Sequence, residues 1–399
     1  SGMRSDAEWS IVRSSGTRHI HLHVASAGEL ESGLAVRDAV DRLAGNISWT
    51  LTFSSPSGLD YLGDRSSGFL SIGMLPLDKP RSVGNFLDAT RPDLLLFIRY
   101  DLWPELLRQA GDRGIPRMLV AATIGRRSRL LRRPIRAATR WMYRQVETTS
   151  TVNEVQADRL EPLCRSRPQV DGDPRIDRVI GRVASVSKRG RPEHVDVASI
   201  RSMLTGRPGL ICGSAWSSDI DGLDIETELA DWDIIVVPHD VRDASVDLIR
   251  EHFPSAQLVS SKRQAGSDRS EPLRLIVDVM GILVELYGLA DVAVVGGGFG
   301  AGVHSVIEPL VRGIPVVCGT NFGSSPDAVE LVAIGGLTVV ENPKHLLSVV
   351  KRIVGHRDPT AMRSARTFLQ RHEGASDRIA RRLLDVIRAR PADNPKSND

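Results

Sequence analysis

Short apolar runs alternating with helical patterns, twice over, constrain this chain more than any other feature. The first set reads HIHLHVAS, WTLTFSS, LLLFIRY, RMLVAAT and TSTVNE, with helical patterns between the runs through about residue 180. A second set, GLICGS, DIIVVPHD, LRLIVDV, DVAVVGGG, IPVVCG and LTVVEN, repeats the rhythm from about 208 to 342. Strands that read as continuous apolar runs are covered on both faces, and strand–helix alternation builds parallel, doubly wound sheets. At 399 residues the chain exceeds one hydrophobic core, so two α/β domains are expected, over 3–182 and 200–358. The polar stretch VASVSKRGRPEHVDVAS (183–199) suits a linker or hinge. Helices are expected over 359–390 and a disordered tail over 391–399.

Composition excludes several classes. Hydrophobic residues at 41% and charged residues at 25% describe an ordinary globular chain, and 5% aromatics argue against a base-stacking nucleic-acid surface. Cys164, Cys212 and Cys318 lie too far apart for a zinc site or a disulfide framework, which points to a reducing, cytosolic compartment. No stretch approaches the ~18 to 20 apolar residues of a membrane span, and the N-terminus carries no signal pattern. Ser1-Gly2 ahead of Met3 reads as a cloning remnant. The net charge is only +3, but residues 126–144 (RRSRLLRRPIRAATRWMYR) carry eight arginines among Leu130, Leu131, Ile135, Trp141 and Met142. Such a segment is either a basic amphipathic helix lying on anionic lipid or an arginine-rich solvated face.

In open α/β sheets ligands sit beyond the carboxyl ends of the strands. Six such ends are rich in polar and small residues: Ser26-Ala27-Gly28-Glu29, Arg99-Tyr100-Asp101, Gly213-Ser214-Ala215-Trp216, Pro238-His239-Asp240, Asp278-Val279-Met280-Gly281 and Gly296-Gly297-Gly298. Spread over two sheets, they imply a cleft between facing domains. The turn GGGFGAGVH (296–304) has the GxGxxG/A spacing of a dinucleotide site, but the next strand, IPVVCGTN, ends without the carboxylate that holds a ribose. The turn also follows about three earlier strands of its sheet, where a dinucleotide motif opens its domain. The competing reading makes SVIEPLVR (305–312) a helix whose free N–H groups meet a phosphate, with Ser305 as N-cap and Glu308 accepting from ribose hydroxyls. Ser305 and Glu308 also have the spacing of a plain capping box. Asp219 and Asp221 form a DxD that fits first-turn caps better than a metal site. His21 and His23 alternate on one strand and could ligate a metal, though no further ligands cluster with them. His304 could touch phosphate or simply pack.

The segments HVASAGELESG (23–33), RYDLWPELL (99–107), GDPRIDRV (172–179), GSAWSSD (213–219), VPHDVR (237–242), DVMGILVELYGLADVAVVGGGFGAGVHSVIEPLVRGIPVVCG (278–319) and EGASDRI (373–379) together resemble the ordered landmarks of 3-deoxy-D-manno-octulosonic acid (Kdo) transferases. The resemblance runs from residue 20 to about 385. It implies a GT-B fold of two Rossmann-like domains facing across a cleft, and transfer of Kdo from CMP-Kdo to a lipid A precursor. Inversion at the anomeric carbon, no metal or other cofactor, and a peripheral place on the anionic cytoplasmic face of a bacterial inner membrane are implied as well, with no role for nucleic acid.

Carried over by position, the family's catalytic base falls on Glu29, whose carboxylate would take the proton of the attacking sugar hydroxyl; a first-turn glutamate stabilised by the helix dipole is the alternative. Donor contacts fall on Ser214, His239, Arg242, Met280, Gly281, Gly298, Ser305 and Glu308, with Arg242 and the 305 helix offsetting charge on the leaving phosphate. Ser26, Gly28, Arg99, Asp101, Asp173 and Arg175 would hold the acceptor or the Kdo carboxylate. The chain departs from the family at Ser305, where members carry asparagine, and at Arg99, where an acid often stands. Most members also have a hydrophobic anchor ahead of the first strand, and only about twenty residues precede it here, so either a trimmed chain or peripheral docking is expected. A UDP-sugar enzyme of the same fold, such as an epimerase, and a non-catalytic membrane-binding protein are the alternatives.

Overall fold

The computed structural model describes residues 16–56, 66–125, 128–185, 197–261, 270–356 and 359–389, with Trp9, Gly58 and Leu62. The chain divides into two compact units, residues 1–178 with 372–399, and residues 179–371. Each is built on a parallel seven-stranded sheet. In the first the strands are β1 (Arg18–Val24), β2 (Ile47–Phe53), β3 (Phe69–Met74), β4 (Leu94–Ile98), β5 (Arg117–Ala122), β6 (Thr148–Thr151) and β7 (Gln169–Val170), in the order β3-β2-β1-β4-β5-β6-β7. In the second they are β8 (Gly209–Ala215), β9 (Asp233–Pro238), β10 (Gln257–Leu258), β11 (Arg274–Ile276), β12 (Val292–Val295), β13 (Val316–Cys318) and β14 (Thr338–Val339), in the order β10-β11-β9-β8-β12-β13-β14.

The apolar runs account for the central strands. Every residue of β4 (LLLFI), β5 (RMLVAA) and β12 (VAVV) is buried, as a strand covered on both faces requires. Sequence reasoning missed β3, β7 and β10. They are half-exposed or only two residues long, so the apolar signal is weak there.

Strand order reverses beside β1, which pairs with β2 on one side and β4 on the other, and beside β8, which pairs with β9 and β12. The carboxyl ends of β1/β4 and of β8/β12 are therefore the two topological switch points, where connections leave in opposite directions and open a crevice. Each switch point holds a non-glycine residue in the left-handed region, Arg99 (φ 65°) and Ser214 (φ 52°). Such backbone costs of order 1–3 kcal/mol and persists where surrounding structure imposes it.

The last helix, Ala375–Arg388, belongs to the first unit. Its apolar stripe Ile379, Leu383 and Ile387 is buried with Leu30 and Leu34 of the helix Ala27–Leu43 and with Ile20 and Leu22 of β1. Full burial of one such side chain stabilises by roughly 1.5–3 kcal/mol. The GDPRIDRV segment receives this helix: the Asp177 carboxylate accepts the N–H groups of Gly374 (2.7 Å) and Ser376 (2.6 Å), and Asp171 accepts from Arg382 at 3.0 Å. The expected linker begins as the end of the helix Pro174–Ser185, and residues 186–196 lie outside the described residues, as does the expected tail 391–399.

Candidate active site

At the first switch point the chain leaves β1 and enters the helix Ala27–Leu43 within three residues, with Ser26 as N-cap accepting from the Glu29 N–H at 3.4 Å. Glu29 is only 1% exposed. One of its carboxylate oxygens accepts the Ala25 N–H at 2.6 Å, and the other has no hydrogen bond among the described residues. Glu29 is thus partly the capping residue its spacing allowed, with one oxygen left over. Burial raises its pKa to about 7, against the Ala25 hydrogen bond and the Arg99 charge, while Asp101 pushes it further up. A carboxyl poised near neutrality in a strand-end crevice is suited to taking a proton.

The charges around it are arranged in pairs. Asp173 is buried, accepts from Arg175 at 2.8 and 3.0 Å, and faces Arg99 at 3.5 Å. Burial alone would raise its pKa, but the two guanidiniums outweigh this and hold the carboxylate ionised well below its ordinary range. Nε of Arg99 is buried without a hydrogen-bond partner among the described residues. Asp101 lies 2.9 Å from Nε2 of His23 and accepts from Ser54 at 2.7 Å; these bonds outweigh its burial and keep its pKa low.

The two histidines weighed as metal ligands belong instead to a hydrogen-bonded row. Nε2 of His23 meets both the Asp101 carboxylate (2.9 Å) and the indole N–H of Trp103 (3.2 Å), while its Nδ1 lies 2.9 Å from the Thr52 hydroxyl, whose oxygen is 3.0 Å from Nε2 of His21. Burial lowers the His21 pKa, helped by His23 and His19. Among the described residues no group of three His, Cys, Asp or Glu could hold a metal ion.

At the second switch point the glycine turn is clamped rather than loose. The Asp219 carboxylate, 2% exposed, accepts the N–H groups of Gly297 (2.8 Å), Trp216 (2.9 Å) and Phe299 (3.4 Å). This agrees with Asp219 as a cap and adds a role that its spacing did not reveal. Glycine is required on steric grounds: a Cβ at Gly296 would stand 2.1 Å from the Ser214 carbonyl oxygen, and one at Gly298 would stand 2.4 Å from the Gly319 nitrogen. Trp216, His239 and His304 bring their rings together beside this turn. Ser214 ends β8, while Met280 (69% exposed) and Gly281 (φ 94°) follow β11 in an open loop.

One expectation needs correction. The helix after the turn is Ile307–Val311, with Val306 at its N-cap and no side-chain cap. Ser305 is an exposed loop residue, because Val303 and Val306 are drawn into the core and the helix starts only after them. No capping box forms, and a five-residue helix offers no terminus for a phosphate. Glu308 sits in its first turn, 4.0 Å from Arg182. Arg242 is 84% exposed and spends its charge on Asp240, through both its backbone N–H (3.1 Å) and its guanidinium. The first unit thus draws Glu29, Arg99, Asp101, Asp173 and Arg175 together, with Ser26 and Gly28 exposed at the rim. In the second unit the structure joins Ser214, Gly298 and His239 to Trp216 and His304, which lay outside the expected donor residues.

The sequence profile of the 3-deoxy-D-manno-octulosonic-acid transferases matches residues 4–178, the part that carries Glu29, Arg99, Asp101, Asp173 and Arg175. A 3-deoxy-D-manno-octulosonic acid transferase of Haemophilus influenzae is 23% identical over 396 aligned residues, covering 92% of this chain and 86% of the relative. That of Bordetella pertussis is 26% identical, again over 92% and 86%. Over most of its length the chain is similar to Kdo transferases. Among solved structures, the UDP-GlcNAc 2-epimerase of Neisseria meningitidis superposes with a TM-score of 0.65 at 12% identity, over 93% of this chain and all of the epimerase. The likeness shows the two-domain α/β GT-B fold and nothing of the substrate.

Proposed function

We propose that this chain is an inverting glycosyltransferase that moves Kdo from CMP-Kdo to a sugar hydroxyl of a lipid A precursor, without a metal or other cofactor. Glu29 is the general base. The acceptor oxygen attacks the anomeric carbon of Kdo, Glu29 takes its proton, and the bond from that carbon to the phosphate oxygen breaks to release CMP. The observation that carries this reading is the Glu29 carboxyl, buried, half-satisfied and raised to about 7 at a topological switch point. Arg99 and Arg175 face the acceptor or the Kdo carboxylate, and both guanidiniums lie against the one buried Asp173. CMP lies on the second unit, against the glycine turn, with Ser214, His239, Met280, Gly281, Ser305 and Glu308 around it.

The protein works at the anionic cytoplasmic face of a bacterial inner membrane. Arg132, Arg133, Arg136, Arg140 and Arg144 are exposed and make no ion pair among the described residues, and Ile135 (47%) and Trp141 (42%) are exposed between them. Arg126 and Arg127 lie outside the described residues. No helix among the described residues is long and apolar enough to cross a membrane, which fits docking through this face. The test is direct: CMP-Kdo with a tetraacylated lipid A precursor yields a product heavier by one or more Kdo units, and calorimetry shows CMP bound in preference to UDP. UDP preference with no Kdo product overturns the reading.

A further inference from the structure

Three rings meet beyond the carboxyl ends of neighbouring strands in the second unit. Trp216 follows β8, His239 follows β9, and His304 closes the glycine turn after β12. The His239 centroid lies 4.3 Å from that of Trp216 at 19° and 4.3 Å from that of His304 at 22°. The indole N–H of Trp216 donates to Nε2 of His304 at 3.0 Å. Indole nitrogen is a donor only, so Nε2 must present a lone pair, and in a neutral ring the proton then sits on Nδ1. That Nδ1–H has no hydrogen-bond partner among the described residues. The stack on His239 holds the ring plane, so the imidazole cannot turn to exchange its nitrogens without breaking both contacts.

Protonating Nε2 would set two N–H groups against each other. Burial already lowers the His304 pKa, His239 lowers it further, and Asp219 acts in the opposite direction; these two are the titratable groups that face it. A fixed N–H donor aimed from a rigid turn is prepaid orientation for an anionic oxygen, and being neutral it does not hold a charged product by attraction.

We propose that Trp216 is a positioning residue which locks His304 as a neutral Nδ1–H donor for the phosphate of the CMP moiety. The phosphate half of this rests on the reading of the second unit as the CMP site; the lock itself does not. Two measurements separate them. With 15N-labelled histidine and no ligand, long-range proton–nitrogen spectra from pH 5.5 to 8.5, assigned with His304→Gln, should show His304 as the Nδ1–H tautomer throughout. In Trp216→Phe, which keeps a ring for the stack and removes the donor, His304 should lose that preference and take up a proton as pH falls. A parent His304 in the Nε2–H form, or one that titrates like a free histidine, overturns the lock.

Calorimetry with CMP supplies the second readout. Trp216→Phe should bind CMP about 2- to 10-fold more weakly at pH 8, the range of one neutral hydrogen bond, and regain more affinity than the parent on acidification as His304 becomes charged. A variant with parental affinity at both pH values overturns the phosphate contact. A parent that binds no CMP overturns the donor-site reading while the tautomer result still decides the lock.

Discussion

The two switch points solve different problems with the same sheet topology. The first gathers ionisable groups out of water: Glu29, Asp173 and Arg99 lie within one strand-end crevice, and the Arg99 charge lowers the pKa of both carboxyls. The second is nearly free of buried charge. Its Asp219 is spent on three backbone N–H groups, and what remains is glycine backbone and stacked rings. The difference fits the proposed chemistry. Moving a proton near neutrality needs a group whose pKa has been shifted there by burial and neighbours, whereas holding a leaving phosphate needs donors that are fixed beforehand and do not titrate.

The sharpest test of that division removes the base alone. Glu29→Gln should fold, bind CMP like the parent, and lose on the order of 10²- to 10⁴-fold in transfer rate. Because the base must be unprotonated, the parental rate at saturating donor should rise with pH and level off above about 7, the value of the Glu29 carboxyl. A variant with near-parental turnover removes Glu29 as base, and one that fails to bind CMP breaks the division between the two units.

The same substitution tests whether the first crevice is as buried as its geometry implies. The folded-state pKa of Glu29 lies above that of an unfolded glutamate. Its stabilising contribution is therefore complete below the unfolded value and is lost as pH rises through the folded one, by up to about 3 kcal/mol. Glutamine does not titrate, so Glu29→Gln should gain stability relative to the parent between pH 5 and pH 8, read from urea midpoints. A difference that stays constant with pH would mean that Glu29 ionises in contact with water.

In the second unit the corresponding change is Asp219→Asn. An amide has one oxygen where the carboxylate offers two, so part of the N–H cradle is lost, at about 1.5–3 kcal/mol for the first bond to a charged acceptor. The glycine turn should loosen and CMP affinity fall about tenfold, with the pH dependence of transfer unchanged. A shifted pH profile would couple the two sites and erase the contrast between them.

The fold was legible because buried parallel strands leave unbroken apolar runs, and the strand ends then pointed to Glu29, Arg99, Asp101, Ser214 and His239. What stayed hidden depends on tertiary contact. Asp219 looked like a helix cap until the turn of residues 296–299 folded onto it. Trp216 and His304 are separated by 88 positions, and nothing in either segment announces their hydrogen bond. The expected N-cap at Ser305 failed for a complementary reason: capping residues are read from local spacing, but the helix start was set by where Val306 enters the core.

The smallest predicted effect contrasts two arginines of the first unit. Arg99 is 14% exposed and set against Asp173, so its charge acts at short range in low dielectric. Arg133 is exposed and has no acidic partner among the described residues, so its charge acts through water and is screened. Arg133→Ala should weaken binding to vesicles containing anionic lipid by about 1 kcal/mol at low salt. The loss should fade as ionic strength brings the Debye length below about 8 Å. Joint charge reversal at Arg132 and Arg133 should enlarge the loss with the same salt dependence. If the variants sediment with anionic vesicles like the parent at low salt, the arginine face is only solvated, and the membrane must be reached through another part of the chain.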